Sequence, residues 1–506
     1  DIDNGLYMVY ADQGTGSIDL KVQRIDPAYE PHWNNGGITA MTGLDGDVNY
    51  TISFRIDDED LLFLWEDNRS SKKLFGTRIT SFENQYEGGI QLTFSDYVSS
   101  EIANTIPKVI KTETGLYATT FDGSSPRSIR INKFDEQLNN VWDSLGVSLS
   151  TAYDMSNALL IETSDGMGCF WSESRGGIYL DIYYQKLDES GNTTLVEHGV
   201  EVVNSNKDDY IINVIPTPDG KYMIFWLRDG PWPSKRLMYS KIDEEGNTEI
   251  GWNPNGNHLS NDGFVSQYLQ VKVIDENNGV LAVWSQSILK GTSVLPTDIY
   301  AQTIGWDGNP LWLNGGIAVS EADNDQSNIA FALNEDFTKS LLVWEDFRNG
   351  SDFEIYGQVL NLGVGSLSGS PIQFSADTTN QYNPVVSSIM GNEFLIIWED
   401  ERGYYNEDPL LINGVDLYGA GYIIGQGMTT DVNGIPICIA YHKQQHMNVT
   451  HHIGEEYFLD WIDYRSSGKE DLANYYGRTL LKAELLTNDP GCNCAVPTEF
   501  SLKPAY

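Results

Sequence analysis

Short apolar runs rich in β-branched and aromatic side chains recur along the chain, separated by clusters of Gly, Asn and Asp. One stretch shows the pattern in full: "GGIAVS" (315–320), "NIAFAL" (328–333), "SLLVWED" (340–346) and "EIYGQVL" (354–360). Short runs of this composition bounded by turn residues predict strands, here four to a unit. The tryptophan-bearing run is apolar at successive positions, Leu341, Leu342, Val343 and Trp344. Both faces of that strand must therefore be covered, which a one-sided sheet would not provide. No segment keeps a 3.6-residue apolar period, so very little helix is expected.

The unit repeats. Its marker aromatic is Tyr10, Trp65, Phe121, Trp171, Trp226, Trp284, Trp344, Trp398 and Trp461, at separations of 50 to 63 residues. A period of that size signals a repeat architecture. A second landmark, Trp33, Trp142, Trp252 and Trp312, precedes a Gly-rich turn, as in "HWNNGGITA" and "LWLNGGIAV". Four-stranded antiparallel sheets that cover both faces and hide their edges describe an all-β β-propeller. An open solenoid is the alternative architecture. Counting strands gives eight blades, with seven or nine as neighbouring solutions. The domain reading is an N-terminal half-repeat over 1–27, a propeller over 28–485 and a C-terminal tail over 486–506.

The acid–acid–x–Arg knot in "LLVWEDFRNG" invites a catalytic reading. It recurs, however. The acid two residues after the tryptophan is Asp67, Glu173, Asp346, Asp400 and Asp463, and the arginine four residues after it is Arg69, Arg175, Arg348, Arg402 and Arg465. Catalytic groups occur once per site, whereas structural groups recur with the repeat. The pair is expected to brace a turn, at about 0–1 kcal/mol if exposed and more if partly buried. Loss of either member should then lower stability modestly.

The 506 residues carry 72 acidic and 31 basic side chains, a formal net charge of −41. Phosphate binding needs clustered Lys and Arg, so nucleic acid and anionic lipid are disfavoured partners. The apolar runs are too short for a membrane-spanning helix. A numbering that starts at Asp1 reads as a mature chain whose signal peptide has been removed. Of the four cysteines, Cys169 is expected as a buried thiol; Cys438, Cys492 and Cys494 leave room for one bridge near the tail.

The C-terminal "VPTEFSLKPAY" resembles the linker before the type IX secretion sorting domain of many secreted proteins of Bacteroidetes-type bacteria. The "WEDxR…DIYxQ" units are similar to propeller repeats common in such proteins. The resemblance implies export to the cell surface or beyond, and it carries no assigned activity.

Once-only chemistry is sparse. "SFRIDDED" at Ser53 is superficially similar to the Phe-Arg-Ile-Pro element of sialidases, with Arg55 as carboxylate binder. Asp57 replaces the proline, and the Ser-x-Asp-x-Gly-x-Thr-Trp boxes of that family are missing. His442, His446, His451 and His452 cluster, but adjacent His451 and His452 point to opposite faces of a strand and cannot join one site. The acidic stretches "DGDVN" (45–49) and "EADNDQSN" (321–328) are candidates for calcium, though neither has the full spacing of a calcium loop. Long inter-strand loops are read at 228–236, 287–298 and 401–422, with Trp232, Tyr404 and Tyr405 as contacts for a glycan, a protein or another copy of the chain. The expectation is therefore a secreted, non-catalytic binding or self-assembling propeller without a required cofactor; the alternative is a secreted glycosidase of sialidase-like type.

Overall fold

The chain is described by a computed structural model. It describes residues 6–12, 18–25, 32–33, 37–44, 48–55, 60–67, 73–80, 84, 89–92, 108–122, 127–402 (except 153–154, 176–177, 231–233, 261–263 and 291–292), 414–439, 443–451, 456–463, 474–481 and 500–501. Among these residues there is no helix, and the strands assemble into antiparallel sheets of propeller-blade type. The all-β reading holds.

The chain divides into two compact units, Asp1–Arg24 with His32–Asp262 and Tyr506, and Ile25–Pro31 with Gly263–Ala505. In the first, a three-stranded sheet (Leu6–Asp12, Ile18–Ile25, Ile38–Leu44) accompanies blades carrying Trp65, Trp171 and Trp226 and one built from Val109–Thr112, Gly115–Asp122, Arg127–Phe134 and Val147–Ala152. The second holds the blades of Trp284, Trp344, Trp398 and Trp461.

The Trp344 blade runs Gln326–Leu333, Lys339–Asp346, Glu354–Asn361, Ser366–Gln373, with each strand paired to the next. Here the expected phase of the repeat needs correction. The "GGIAVS" strand, Ile317–Ser320, pairs with Ser293–Ile304 and so closes the preceding blade instead of opening the Trp344 blade. The glycine of that turn explains its linkage to the tryptophan: Gly316 has φ +80°, and a Cβ there would lie 2.6 Å from the edge of the Trp284 indole. Only glycine satisfies both the left-handed backbone and that close approach.

The two-faced burial read from the sequence is present. Leu342 and Trp344 pack with Leu281, Val283 and Ile299 of the preceding blade, while Leu341 and Val343 pack with Phe394, Ile396 and Trp398 of the following one. In the first unit Phe170 and Tyr184 likewise meet Ile224 and Trp226, and Cys169 and Trp171 meet Ile129 and Ile131 on the other side. All seven blade tryptophans are fully buried. The second landmark ties successive blades: the indole N–H of Trp142 donates to the Glu189 carbonyl (3.1 Å) and that of Trp312 to the Leu362 carbonyl (3.0 Å).

Five first strands carry a two-residue β-bulge at one repeat position. Its first residue adopts positive φ: Asn157 (47°), Tyr268 (53°), Asn328 (49°), Asn383 (49°) and His446 (55°). In four of them the second residue turns inward, Ala158, Ile329, Pro384 and Met447 being buried, while Leu269 is half-buried.

Candidate active site

The recurrent knot resolves into two different jobs. Asp346 is fully buried and accepts hydrogen bonds from the Trp344 indole N–H (2.8 Å), the Arg348 backbone N–H (2.9 Å) and the Arg348 guanidinium (2.8 and 2.5 Å). The guanidinium lies 3.8 Å from the Tyr356 ring centroid, sandwiched between carboxylate and arene. Asp400 repeats this with Trp398 (2.9 Å), Arg402 and Tyr418. The other acid reaches across. Glu345 accepts from the Asn383 backbone N–H (2.8 Å) of the next blade, and Glu399 accepts from the His446 backbone N–H (2.9 Å). One carboxylate braces its own turn, and the other joins neighbouring blades. Burial of Asp346 and Asp400 makes the pair more than a surface ion pair.

Deviations from the motif are compensated. In the Trp171 blade Glu173 pairs with Arg175 and accepts from Ser150 (2.9 Å). In the Trp226 blade Arg228 occupies the acid's place, and Asp209, directly opposite on the adjacent strand, supplies the carboxylate. It accepts from the Trp226 indole (2.8 Å) and from Arg228 (2.6 and 3.1 Å).

The Trp284 blade breaks the pattern in a different way. Gln286 stands at the acid's position and accepts the Trp284 indole N–H at 2.9 Å, while Ile288 stands at the arginine's position and is 40 % exposed. The ion pair has been replaced as a unit by neutral groups. At the same end of the sheet the strands are lengthened to Phe264–Asp275, Gly279–Lys290 and Ser293–Ile304, 12 residues each against 8 in the Trp344 blade's first three strands. The stretch 287–298, expected as a loop, is thus a hairpin extension paired through Ser287↔Thr297 and Leu289↔Val294. The error is instructive: its Val, Leu and Thr residues are strand formers, and only the intervening Gly and Pro resembled a loop.

At the root of this extension lie Asp298, Glu321 and Asp325. Tyr300 donates to Glu321 (2.9 Å), and Thr297 donates to Asp325 through its backbone N–H (2.9 Å) and hydroxyl (2.8 Å). The sequence places these acids on the third strand and on the linker after the fourth, so blade closure brings together residues separated by more than twenty positions. Burial, followed by the charges of Glu321 and Asp325, pushes the Asp298 carboxyl up to about 6. At the equivalent position Glu354 has Arg348 beside it, and Asp181 has Arg228. Among the described residues no cation acts on Asp298. Up to about pH 6 it can carry a proton, which acid–base chemistry by paired carboxylates asks of one partner.

Other candidate positions are less informative. Trp232, Tyr404, Tyr405, Arg69, Arg465, His442, His452, Cys492 and Cys494, and residues 45–47 of the first acidic stretch, lie outside the described residues, as do the side chains of Arg55, Asp67, Asp463 and His451. Cys169 is a buried free thiol whose pKa burial raises, and Cys438 is buried beside Trp461. Among the described residues no group of three or more His, Cys, Asp or Glu side chains is arranged to hold a metal ion. In the 321–328 stretch, Gln326 donates to the Asn324 carbonyl (2.7 Å), and Asp325 is engaged by Thr297 as above.

No family model matches the chain, and no curated protein matches it. Among solved structures it is similar to a puromycin-hydrolysing peptidase of Mycobacterium tuberculosis, with 10 % identity and a TM-score of 0.39 over 81 % of this chain and 58 % of that one. The chain thus spans little more than half the length of that peptidase. It is also similar to a polysaccharide lyase of family PL25, an ulvan lyase (10 % identity, TM-score 0.41, 79 % of this chain and 99 % of that one). A third is an endo-arabinase from Bacteroides thetaiotaomicron (10 % identity, TM-score 0.28, 57 % and 99 %). All three are enzymes by description. These descriptions run against the expectation of a non-catalytic binding protein, and the enzyme alternative is taken up below from this chain's own residues.

Proposed function

We propose that the protein is an extracellular carbohydrate-active enzyme that cleaves glycosidic bonds of a neutral polysaccharide at the Trp284 blade. The carrying observation is that the Trp284 blade exchanges the buried Asp–Arg brace for Gln286 and Ile288, lengthens its hairpin, and sets Asp298 under the charges of Glu321 and Asp325, with no cation acting on it among the described residues. Departures from a repeat's own rules are where function is expected.

Asp298 is the proton donor to the leaving glycosidic oxygen, since it retains its proton to about pH 6. Glu321, held by the Tyr300 hydroxyl, is the second carboxylate. It activates water or receives the anomeric carbon, and the configuration of the released sugar tells which. Asp325 is tied to Thr297 and acts through its charge, keeping the Asp298 proton in place. A net charge of −41 disfavours polyanionic substrates, which directs the reading to neutral glycans. Export follows the resemblance of the C-terminal segment to a type IX secretion linker.

Purified protein should release reducing ends from at least one neutral polysaccharide in a panel, and Asp298→Asn and Glu321→Gln should each abolish this while leaving the fold intact by circular dichroism. Turnover that survives both substitutions, or no turnover across the panel, refutes the assignment.

A further inference from the structure

The β-bulge at the start of the first strands holds its leading residue in the left-handed region, which Asn tolerates and bulky side chains resist. Asn157, Asn328 and Asn383 fit that rule, and their amides are used: Asn157 donates to the Ile211 carbonyl (2.8 Å), and Asn328 donates to Glu345 (2.7 Å) and Asn383 (2.8 Å). Tyr268 does not fit. Its φ is 53°, its side chain is 71 % exposed, and among the described residues neither ring nor hydroxyl has a hydrogen-bond or aromatic partner. Packing does not explain a tyrosine here, because its side chain is exposed. The scaffold's need at this position is met by Asn in three sibling strands.

Tyr268 lies on the blade that breaks the repeat, and at the end where it does so. Gln267, beside it, pairs with Ser285, which in turn pairs with Ile299, the residue after Asp298. Two strand spacings of about 4.8 Å put the bulge roughly 10 Å from the acid. A short oligosaccharide bridges that span. Among the described residues the ring stands alone, and the equivalent positions of the next two blades hold the exposed Asn328 and Asn383. A protein interface needs a wide apolar core, which a single ring does not make. A single arene with polar neighbours suits the C–H face of a sugar ring and its peripheral hydroxyls.

We infer that Tyr268 is the stacking platform of a sugar-binding subsite beside Asp298. This deepens the reading of the Trp284 blade as carbohydrate-active and rests on it. The left-handed strain is maintained for an exposed arene that binds the glycan, as is typical of strained residues at functional positions.

The test compares Tyr268→Asn with Tyr268→Phe, in the active chain for kinetics and in the Asp298→Asn background for binding to the same neutral polysaccharides by calorimetry. Tyr268→Asn should raise Tm, since Asn suits the backbone, yet weaken binding about tenfold or more and raise KM with kcat little changed. Tyr268→Phe should bind within about twofold of the parent, because the arene remains. Unchanged affinity in Tyr268→Asn, with turnover still lost in Asp298→Asn, overturns the platform and leaves the enzyme reading standing. Binding lost in Tyr268→Asn, in a parent that binds a glycan without cleaving it, supports the platform and overturns the catalytic role of Asp298. A parent that neither binds nor cleaves any glycan overturns both.

Discussion

Replacing Arg348 by Ile strips the cation from a carboxylate that has no access to water. Asp346 would keep its hydrogen bonds from the Trp344 indole and the residue 348 backbone, but lose both guanidinium contacts and the positive charge that opposes its own. Removing one partner of a buried pair costs about 3–5 kcal/mol, far above the modest loss the sequence alone leads one to expect. The Trp284 blade shows how the cost is avoided, since Gln286 still accepts the indole N–H while Ile288 stands where the arginine would be. The double variant Asp346→Gln with Arg348→Ile should therefore be more stable than Arg348→Ile alone, by about 2 kcal/mol or more, because the stranded charge has gone. Equilibrium urea unfolding followed by tryptophan fluorescence measures both, provided the slopes agree among variants. A double variant as unstable as, or less stable than, Arg348→Ile would refute the account of the knot as a charge-compensated brace.

Trp344→Ala should lose on the order of 3–5 kcal/mol, since it empties a fully buried site at a blade–blade interface, as measured by the same unfolding assay. Exchanging the partners of the Trp226 blade, Asp209→Arg with Arg228→Asp, should restore much of what either single change loses, because the two face each other across the strand pair; a cycle of unfolding midpoints reads this. Asp298 ionises less readily in the folded chain than in the unfolded one, so its contribution is most favourable below about pH 4 and declines as pH rises through about 6. Asp298→Asn should therefore raise Tm at pH 7.5 and change it little at pH 4, as thermal scans at the two values would show. For the same reason kcat/KM should fall above about pH 6 as the acid loses its proton, a limb traced by a pH–rate profile.

The repeat was legible because burial acts on every copy alike: a strand covered on both faces has to read Leu–Leu–Val–Trp, and a turn that hides an acid has to supply a guanidinium. The phase of the unit was not. Only five residues separate Val203 from Asp209 in the next blade, whereas eleven separate Asp188 from Val200 in the same sheet, so proximity in sequence groups the strands wrongly. The longer link folds back at once, Leu187 bridging Thr193, which no apolar pattern announces. Ile288, in the place of the arginine, was a readable sign of the unusual blade. The convergence of Asp298 with Glu321 was hidden, because it depends on the fourth strand returning alongside the third. The left-handed backbone of Tyr268 was hidden too, since a bulge leaves no mark on residue type when the residue is not Asn.

The carboxylates that reach from one blade to the next make certain amides witnesses to events in a neighbour. The N–H groups of Asn383 and His446 are capped by Glu345 and Glu399, side chains that belong to the preceding blades. If a preceding blade opens, its successor loses that cap while its own strand pairing persists. Deuterium should then enter these two amides at the opening rate of the preceding blade, ahead of the adjacent ladder positions. Local stability would be transmitted in one direction along the chain, each blade partly guarded by the one before it, as expected when every repeat interacts with its nearest neighbours.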